Sequence, residues 1–259
     1  MVEFGISAAL ILFFGLYKSR KAIHMLQQNY YDEDRRYISW IIKNPGKVFK
    51  SIDILFLIFL ILGFFHVKDS TVVSIFTIMY LVIVFLYRKS IHKEQVKKAL
   101  VVTKRVKRLL FTEVIVYFAM IIPILVNYAD GLAWLYYLIL CGITYLSYFL
   151  VLVVNVINKP VEKLVFIYYK QMAKKKLAKM NIPVIGITGS YGKTSSKNIV
   201  GDILGVKYNA FKTPQNFNTT YGLINTINNY LDKFNDLFIA EMGAFKRGEI
   251  KEICDLVHP

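Results

Sequence analysis

Five mainly apolar stretches fill most of the first 155 residues: Phe4–Tyr17, Ile52–Val67, Thr71–Tyr87, Leu109–Asn127 and Leu132–Val154. The hydrocarbon core of a bilayer is about 30 Å thick and takes roughly 20 apolar residues of helix to cross. The last two stretches meet that length, whereas the first two are short and would borrow flanking residues or sit in thinned lipid. Backbone inside hydrocarbon must satisfy its polar groups within the segment, which leaves helices for stretches of this length. The expectation is an α-helical membrane domain over residues 1–155 with about five helices, or four if the first stretch is interfacial. Glu3 stands where a cleaved leader would carry basic residues, and no small-residue cleavage site follows.

Charge separates the chain into two parts. The whole sequence has 33 basic and 17 acidic side chains, a net charge of +16. Residues 1–181 hold 25 basic and 10 acidic groups, net +15, and residues 182–259 hold 8 and 7, net +1. Within the first part the basic residues cluster between apolar stretches. Eight lie in residues 18–50, nine in 88–108 and seven in 155–181, but only Lys68 follows Val67 and none lies in the Tyr128–Gly131 turn. Lys/Arg bias in short loops marks the cytoplasmic side. The pattern therefore predicts a multi-pass protein of the cytoplasmic membrane, with the N-terminus outside and everything after residue 155 in the cytoplasm. Membrane lipids are the expected partner of the basic segments, and nucleic acid is excluded, because the charge is accounted for as a topology signal. Glu113 lies within a turn of Lys107 and Arg108 and is expected to snorkel toward them. Cys141 and Cys254 fall one in each part, so no disulfide framework is readable.

From Ile182 short apolar runs alternate with amphipathic segments. Strands are expected over Pro183–Thr188, Val206–Phe211 and Asp236–Glu241, and helices over Thr194–Leu204, Thr219–Leu231 and Arg247–Val257. Such alternation predicts a doubly wound parallel α/β sheet, whose ligands bind beyond the carboxyl ends of the strands. Residues 156–181 then read as a basic cytoplasmic linker helix, and residues 182–259 as the opening part of a phosphate-loop domain.

At the end of the first expected strand stands Gly186-Ile187-Thr188-Gly189-Ser190-Tyr191-Gly192-Lys193-Thr194-Ser195. Glycines let backbone N–H groups approach phosphate oxygens, and the helix that follows offers its positive end. In this pattern Gly189, Ser190, Tyr191, Gly192, Lys193, Thr194 and Ser195 are the nucleotide-binding candidates. Lys193 would neutralise phosphates, and the Thr194 hydroxyl would ligate Mg²⁺. The strict phosphate-loop spacing asks for glycine at position 187, where this chain has Ile187 and places Gly186 one residue earlier. The third strand ends Ala240-Glu241-Met242-Gly243, so a carboxylate emerges beside the loop where a second metal contact is needed. Thr213-Pro214-Gln215-Asn216-Phe217-Asn218 lies on the same sheet edge and reads as a ligand loop, or as a polar turn capped by Thr219.

Three segments together, 186–195, 213–218 and Glu241-Met242-Gly243-Ala244-Phe245-Lys246-Arg247-Gly248-Glu249-Ile250, resemble the Mur ligase family of ATP-dependent amide-bond ligases. Within it they are most similar to the branch that adds D-alanyl-D-alanine to UDP-N-acetylmuramoyl-tripeptide. The early Gly186 is a feature of that family. The resemblance implies ATP and Mg²⁺ as cofactors, and a cell-wall precursor with an amino acid or dipeptide as reactants. It implies that Lys193 is catalytic through its hold on the phosphates, that Thr194 and Glu241 hold the metal, and that Asn216 and Asn218 lie near the reacting carboxylate. The family's uridine-nucleotide domain has no counterpart in residues 1–181. Three strands alone would leave a long unpaired edge, so the remaining ligase domains are expected in the same polypeptide or a second one, and residues 1–259 alone are expected not to ligate. A poly-γ-glutamate-type ligase and a non-catalytic nucleotide-binding membrane scaffold are the alternative readings. A transporter is disfavoured, because the apolar stretches contain little polarity. Reporter fusions test the membrane reading: fusions at Lys68 and Asp130 should read external and one at Lys98 cytoplasmic, and a reversal at any of the three breaks the topology.

Overall fold

The computed structural model describes residues 2–32, 36–57, 61, 70–91, 99–126, 133–215 and 217–259. The chain divides into two compact units, Met1–Pro160 and Val161–Pro259. The first is built from helices: α1 (Val2–Gln28), α2 (Ile38–Lys43), α3 (Pro45–Val48), a 3-10 turn at Ser51–Phe56, α4 (Ser70–Ile91), α5 (Lys104–Val126) and the opening of α6 (Ala133–Met180). The unit boundary falls at Pro160, inside α6.

Four of the five apolar stretches lie in helices, but the helices run past them into the charge clusters. Lys18, Arg20 and Lys21 belong to α1, Lys104 to Arg108 open α5, and Lys159 to Lys179 continue α6. Long unbranched basic side chains are good helix formers, so hydropathy alone misplaced these ends. Of the second stretch only its opening 3-10 turn, Leu57 and Ile61 are described. Lys68, Asp130, Lys98 and the Tyr128–Gly131 turn lie outside the described residues, as does the side chain of Cys141. Among the described residues no helix is long and apolar enough to cross a membrane.

The core of the first unit gathers Ala22, Ile23 and Leu26 of α1 with Tyr37, Ile41, Val106, Leu109, Tyr148, Val151 and Val154. Tyr37 donates its hydroxyl hydrogen bond to the Tyr148 carbonyl at 3.2 Å. Polar groups are buried here too. Lys18 Nζ pairs with Asp53 at 3.2 Å, both side chains almost wholly enclosed, and Tyr145 donates to the Asp53 carbonyl at 2.7 Å. Breaking one partner of such a pair leaves an uncompensated charge, worth about 3–5 kcal/mol. Glu113 does not snorkel: it is fully buried. Val106, Leu109, Glu113, Tyr117 and Ile121 are all buried, which is the three-and-four spacing of one helix face. Glu113 sits on that inner stripe, and its distance along the chain from Arg108 did not reveal this. The outward side chains are apolar instead, with Phe13, Phe85, Phe111 and Val126 all strongly exposed.

The second unit contains residues 161–180 of α6, β1 (Val184–Ile187), α7 (Lys193–Gly205), β2 (Ala210–Lys212), α8 (Thr220–Asn229), β3 (Leu237–Glu241) and α9 (Glu249–Val257). The strands form one parallel sheet in the order β1-β3-β2, with Val184 opposite Phe238 and Ile187 opposite Glu241, and Phe211 also opposite Phe238. All five residues of β3 are buried. Alternation along the strand sends Phe238, Ala240 and Met242 into a core with Leu223, Ile224 and Ile227 of α8 and Ile253, Leu256 and Val257 of α9. The residues between them face α7, so helices cover both sides of the sheet.

Residues 161–180, expected as a linker, are a layer of this unit. Ala173 and Leu177 are buried in its core. Lys170 pairs with Glu252 at 3.0 Å, Lys176 donates to the Asn228 carbonyl at 3.1 Å, and Asn228 donates to the Tyr169 carbonyl at 3.0 Å. The run of lysines concealed the Ala173–Leu177 stripe. Leu177→Ala should therefore cost about 2–3 kcal/mol, read as faster amide exchange across β3 in the intact chain. Unchanged protection would show that this helix is a bare connector.

Candidate functional site

β1 runs out at Ile187, and six residues later α7 begins at Lys193. The turn between them needs Gly192 at φ +74° as the residue before the helix, a left-handed conformation that costs most residues about 1 kcal/mol or more. Gly186 has a different duty. A side-chain carbon there would meet Met242 Cε at 2.7 Å, so the early glycine lets β1 close against the segment after β3. The loop presents Gly189, Ser190, Tyr191, Gly192, Thr194 and Ser195 to solvent. Lys193 folds back, donating from Nζ to the Gly189 carbonyl at 2.6 Å. The ammonium thus sits at the start of α7, and a helix N-terminus that follows a glycine loop favours anions.

Glu241, last residue of β3, is the opposite wall. It is 2% exposed, and its carboxylate is surrounded by donors. Oε2 accepts from Thr194 Oγ1 at 3.1 Å and pairs with Lys197 Nζ at 3.0 Å. Oε1 accepts from Asn218 Nδ2 at 3.1 Å. The Glu241 amide is tied down in turn, donating to Thr213 Oγ1 at 3.0 Å. Burial works to raise the carboxyl's pKa, but the hydrogen bonds from Lys197, Asn218 and Thr194, with the charge of Lys197, outweigh it and hold the group below its ordinary range.

The 213–218 loop reaches this point because Asn218 is pinned from both ends. Its carbonyl accepts from the Gly243 amide at 2.7 Å, and a side chain at Gly243 would come within 3.0 Å of Asn218 Cγ. Thr219 then caps α8, accepting from the Gly222 amide at 3.2 Å. The structure brings together Lys193, Thr194, Asn218 and Glu241 at the carboxyl edge of the sheet. Within the described residues Asn218 donates to Glu241 and so orients it. Asn216 lies outside the described residues.

Lys197 is the residue that sequence reading missed. It is 3% exposed, and besides Glu241 it donates to the Gln215 carbonyl at 3.1 Å, so it joins α7, β3 and the 213–218 loop. Its four-residue spacing from Lys193 was the available signal, because i,i+4 residues share a helix face and this face meets the sheet. Thr194 and Glu241 are hard oxygen donors suited to Mg²⁺, which is bound by one or two protein groups with phosphate and water completing the shell. Among the described residues no group of three His, Cys, Asp or Glu side chains could hold a metal.

The low pKa of Glu241 has a sign consequence. Its contribution to stability is complete above the unfolded value near 4.5 and is lost as pH falls through the lower folded value. Amide exchange across β3, corrected for intrinsic rates, should reveal this loss below pH 4.5 in the native chain, and Glu241→Gln should flatten it. An equal slope in both would refute the assignment.

Residues 187–259 match the Mur ligase middle domain. The chain is 37% identical over 90 residues to UDP-N-acetylmuramoyl-tripeptide--D-alanyl-D-alanine ligase of Bacillus subtilis (strain 168), a match covering 35% of this chain and 20% of that one. The enzyme of the same name from Synechocystis sp. is 34% identical over 91 residues, with the same coverage. That of Treponema pallidum is 32% identical over 75 residues, covering 29% and 16%. The matched region thus spans at most 20% of the length of these relatives. The loop, the strand-end carboxylate and the segment between them all fall in the matched region, so the resemblance to the Mur ligase middle domain covers the whole of the candidate site.

Proposed function

We propose that this chain supplies the ATP-binding part of an ATP-dependent carboxylate–amine ligase acting on a peptidoglycan precursor. The observation that carries the reading is the convergence of Lys193, Thr194 and Glu241, from the starts and ends of two elements, on one loop at the carboxyl edge of a parallel sheet. Phosphoryl transfer is chiefly positioning and charge neutralisation, and these residues offer both. The amides of Gly189 to Ser195 cradle phosphate, and Lys193 leaves the Gly189 carbonyl to meet it. Thr194 and Glu241 hold Mg²⁺, which when bound neutralises charge on the phosphates. Asn218 and Lys197 keep Glu241 aimed and ionised.

The reaction class is transfer of the γ-phosphoryl group to a substrate carboxylate, followed by attack of an amine that displaces phosphate. The relatives' names specify D-alanyl-D-alanine as the amine and a UDP-N-acetylmuramoyl-tripeptide as the acid, and this chain is proposed to serve chemistry of that class. Further ligase domains, in the same or a second polypeptide, complete it.

The first unit is proposed to seat the enzyme in or on the cytoplasmic membrane, with the nucleotide site on the cytoplasmic side. Its support is the outward set of large apolar side chains, Phe13, Phe85, Phe111 and Val126 among them, together with the three basic segments of the sequence.

Lys193→Ala should reduce ATP affinity at least about a hundredfold, as removal of a charge-assisted phosphate contact does, while amide exchange across β3 stays native. Isothermal titration with the full chain measures this, and unchanged affinity would overturn the nucleotide-site reading.

A further inference from the structure

Lys197 occupies the place where the proposed metal's charge would be felt. Its ammonium is buried, 3.0 Å from Glu241 Oε2, and the same oxygen accepts from Thr194 Oγ1 at 3.1 Å. A carboxylate has about four acceptor sites over its two oxygens. Oε2 is therefore saturated by Thr194 and Lys197, while Oε1 already serves Asn218. A buried carboxylate without a countercharge is strongly disfavoured, and Lys197 supplies that countercharge at 3.0 Å.

We propose that Lys197 is a resident countercation for Glu241, a stand-in that must release Oε2 when a divalent metal binds between Thr194 and Glu241. The inference rests on the metal role given to those two residues in the proposed function. Thr194 can keep its hydrogen bond to Oε2 while its own lone pair turns to the metal. Lys197 cannot, since an ammonium has donors only and repels a divalent ion. The ammonium's second bond, to the Gln215 carbonyl at 3.1 Å, gives it a place to stay. Gln215 itself has a left-handed backbone at φ +47°, so the carbonyl that receives the ammonium is held by an unusual turn. Metal arrival thereby moves Lys197 from β3 toward the 213–218 loop, and the metal site and the loop that carries Asn218 become linked through one side chain.

A residue that merely propped up the site would weaken metal binding when removed; a stand-in cation strengthens it. The full chain, saturated with a non-hydrolysable ATP analogue, is titrated with Mn²⁺ and free Mn²⁺ is followed by electron paramagnetic resonance. Lys197→Met and Lys197→Gln should each bind Mn²⁺ about tenfold tighter than the native chain, the order expected for removing a unit charge a few ångströms from a divalent ion in a partly solvated site. Lys197→Arg should bind like the native chain. Equal or weaker affinity in the neutral variants overturns the proposal. The glutamine variant keeps a donor for Glu241, so it decides the matter if the methionine variant misfolds. Glu241→Gln separates the two readings: if it leaves native Mn²⁺ affinity intact, the metal assignment has failed, whereas lost affinity with no gain in the lysine variants sinks only the stand-in role.

Discussion

One buried negative charge organises the second unit. Glu241 ends the central strand in a place where the sheet, α7 and the 213–218 loop all exclude water. The desolvation of a carboxylate costs several kcal/mol unless donors and a cation surround it, and here those donors come from three separate segments. Thr194 arrives from the phosphate loop, Lys197 from the next turn of the same helix and Asn218 from the crossover that follows β2. The same constraint that stabilises the fold therefore draws the ligand-binding elements to one point. Residues that look like a catalytic set and residues that satisfy a buried charge are the same residues.

The first unit encloses charge within an otherwise apolar core and also carries large apolar groups on its outside. Lys18, Asp53 and Glu113 are enclosed, while phenylalanines and other large apolar groups face outward. In water such an exterior is a liability. Hydropathy read the apolar side chains correctly as a class but could not say which face of each helix they occupy. That is why Glu113 was placed near lipid headgroups by its chain neighbours and lies instead on the inner stripe with Leu109 and Tyr117.

Legibility differed between the units for a physical reason. In the second, each strand and helix was short, bounded by glycine, proline or a capping residue, and displaced by only a few residues from its observed ends; Thr219 and Gly192 mark two of those boundaries. Local chemistry dictates such features, so local reading finds them. Lys197 and the α6 layer escaped because their roles depend on what lies across the sheet. A lysine four residues beyond the phosphate-loop lysine looks like a solvated charge until the helix is docked, and Lys170 to Lys179 look like a tether until Ala173 and Leu177 meet α8 and α9. The proximity of Asn218 to the site was readable in the same way as Thr194's, but its hold on Glu241 depends on Gly243 letting the two segments touch.

The strand order has a consequence in time. Among the described residues β1 and β2 do not pair with each other; each pairs with β3, the last of the three to leave the ribosome. Until Leu237–Glu241 emerges, neither of the first two strands has its sheet partner. Val184 must wait for Phe238 across a closure of more than fifty residues, the kind of distant pairing that slows folding. The Gly189–Ser195 loop is thus synthesised before the strand that completes its sheet. A nascent chain cannot offer a finished phosphate cradle before the carboxylate that faces it is also in place.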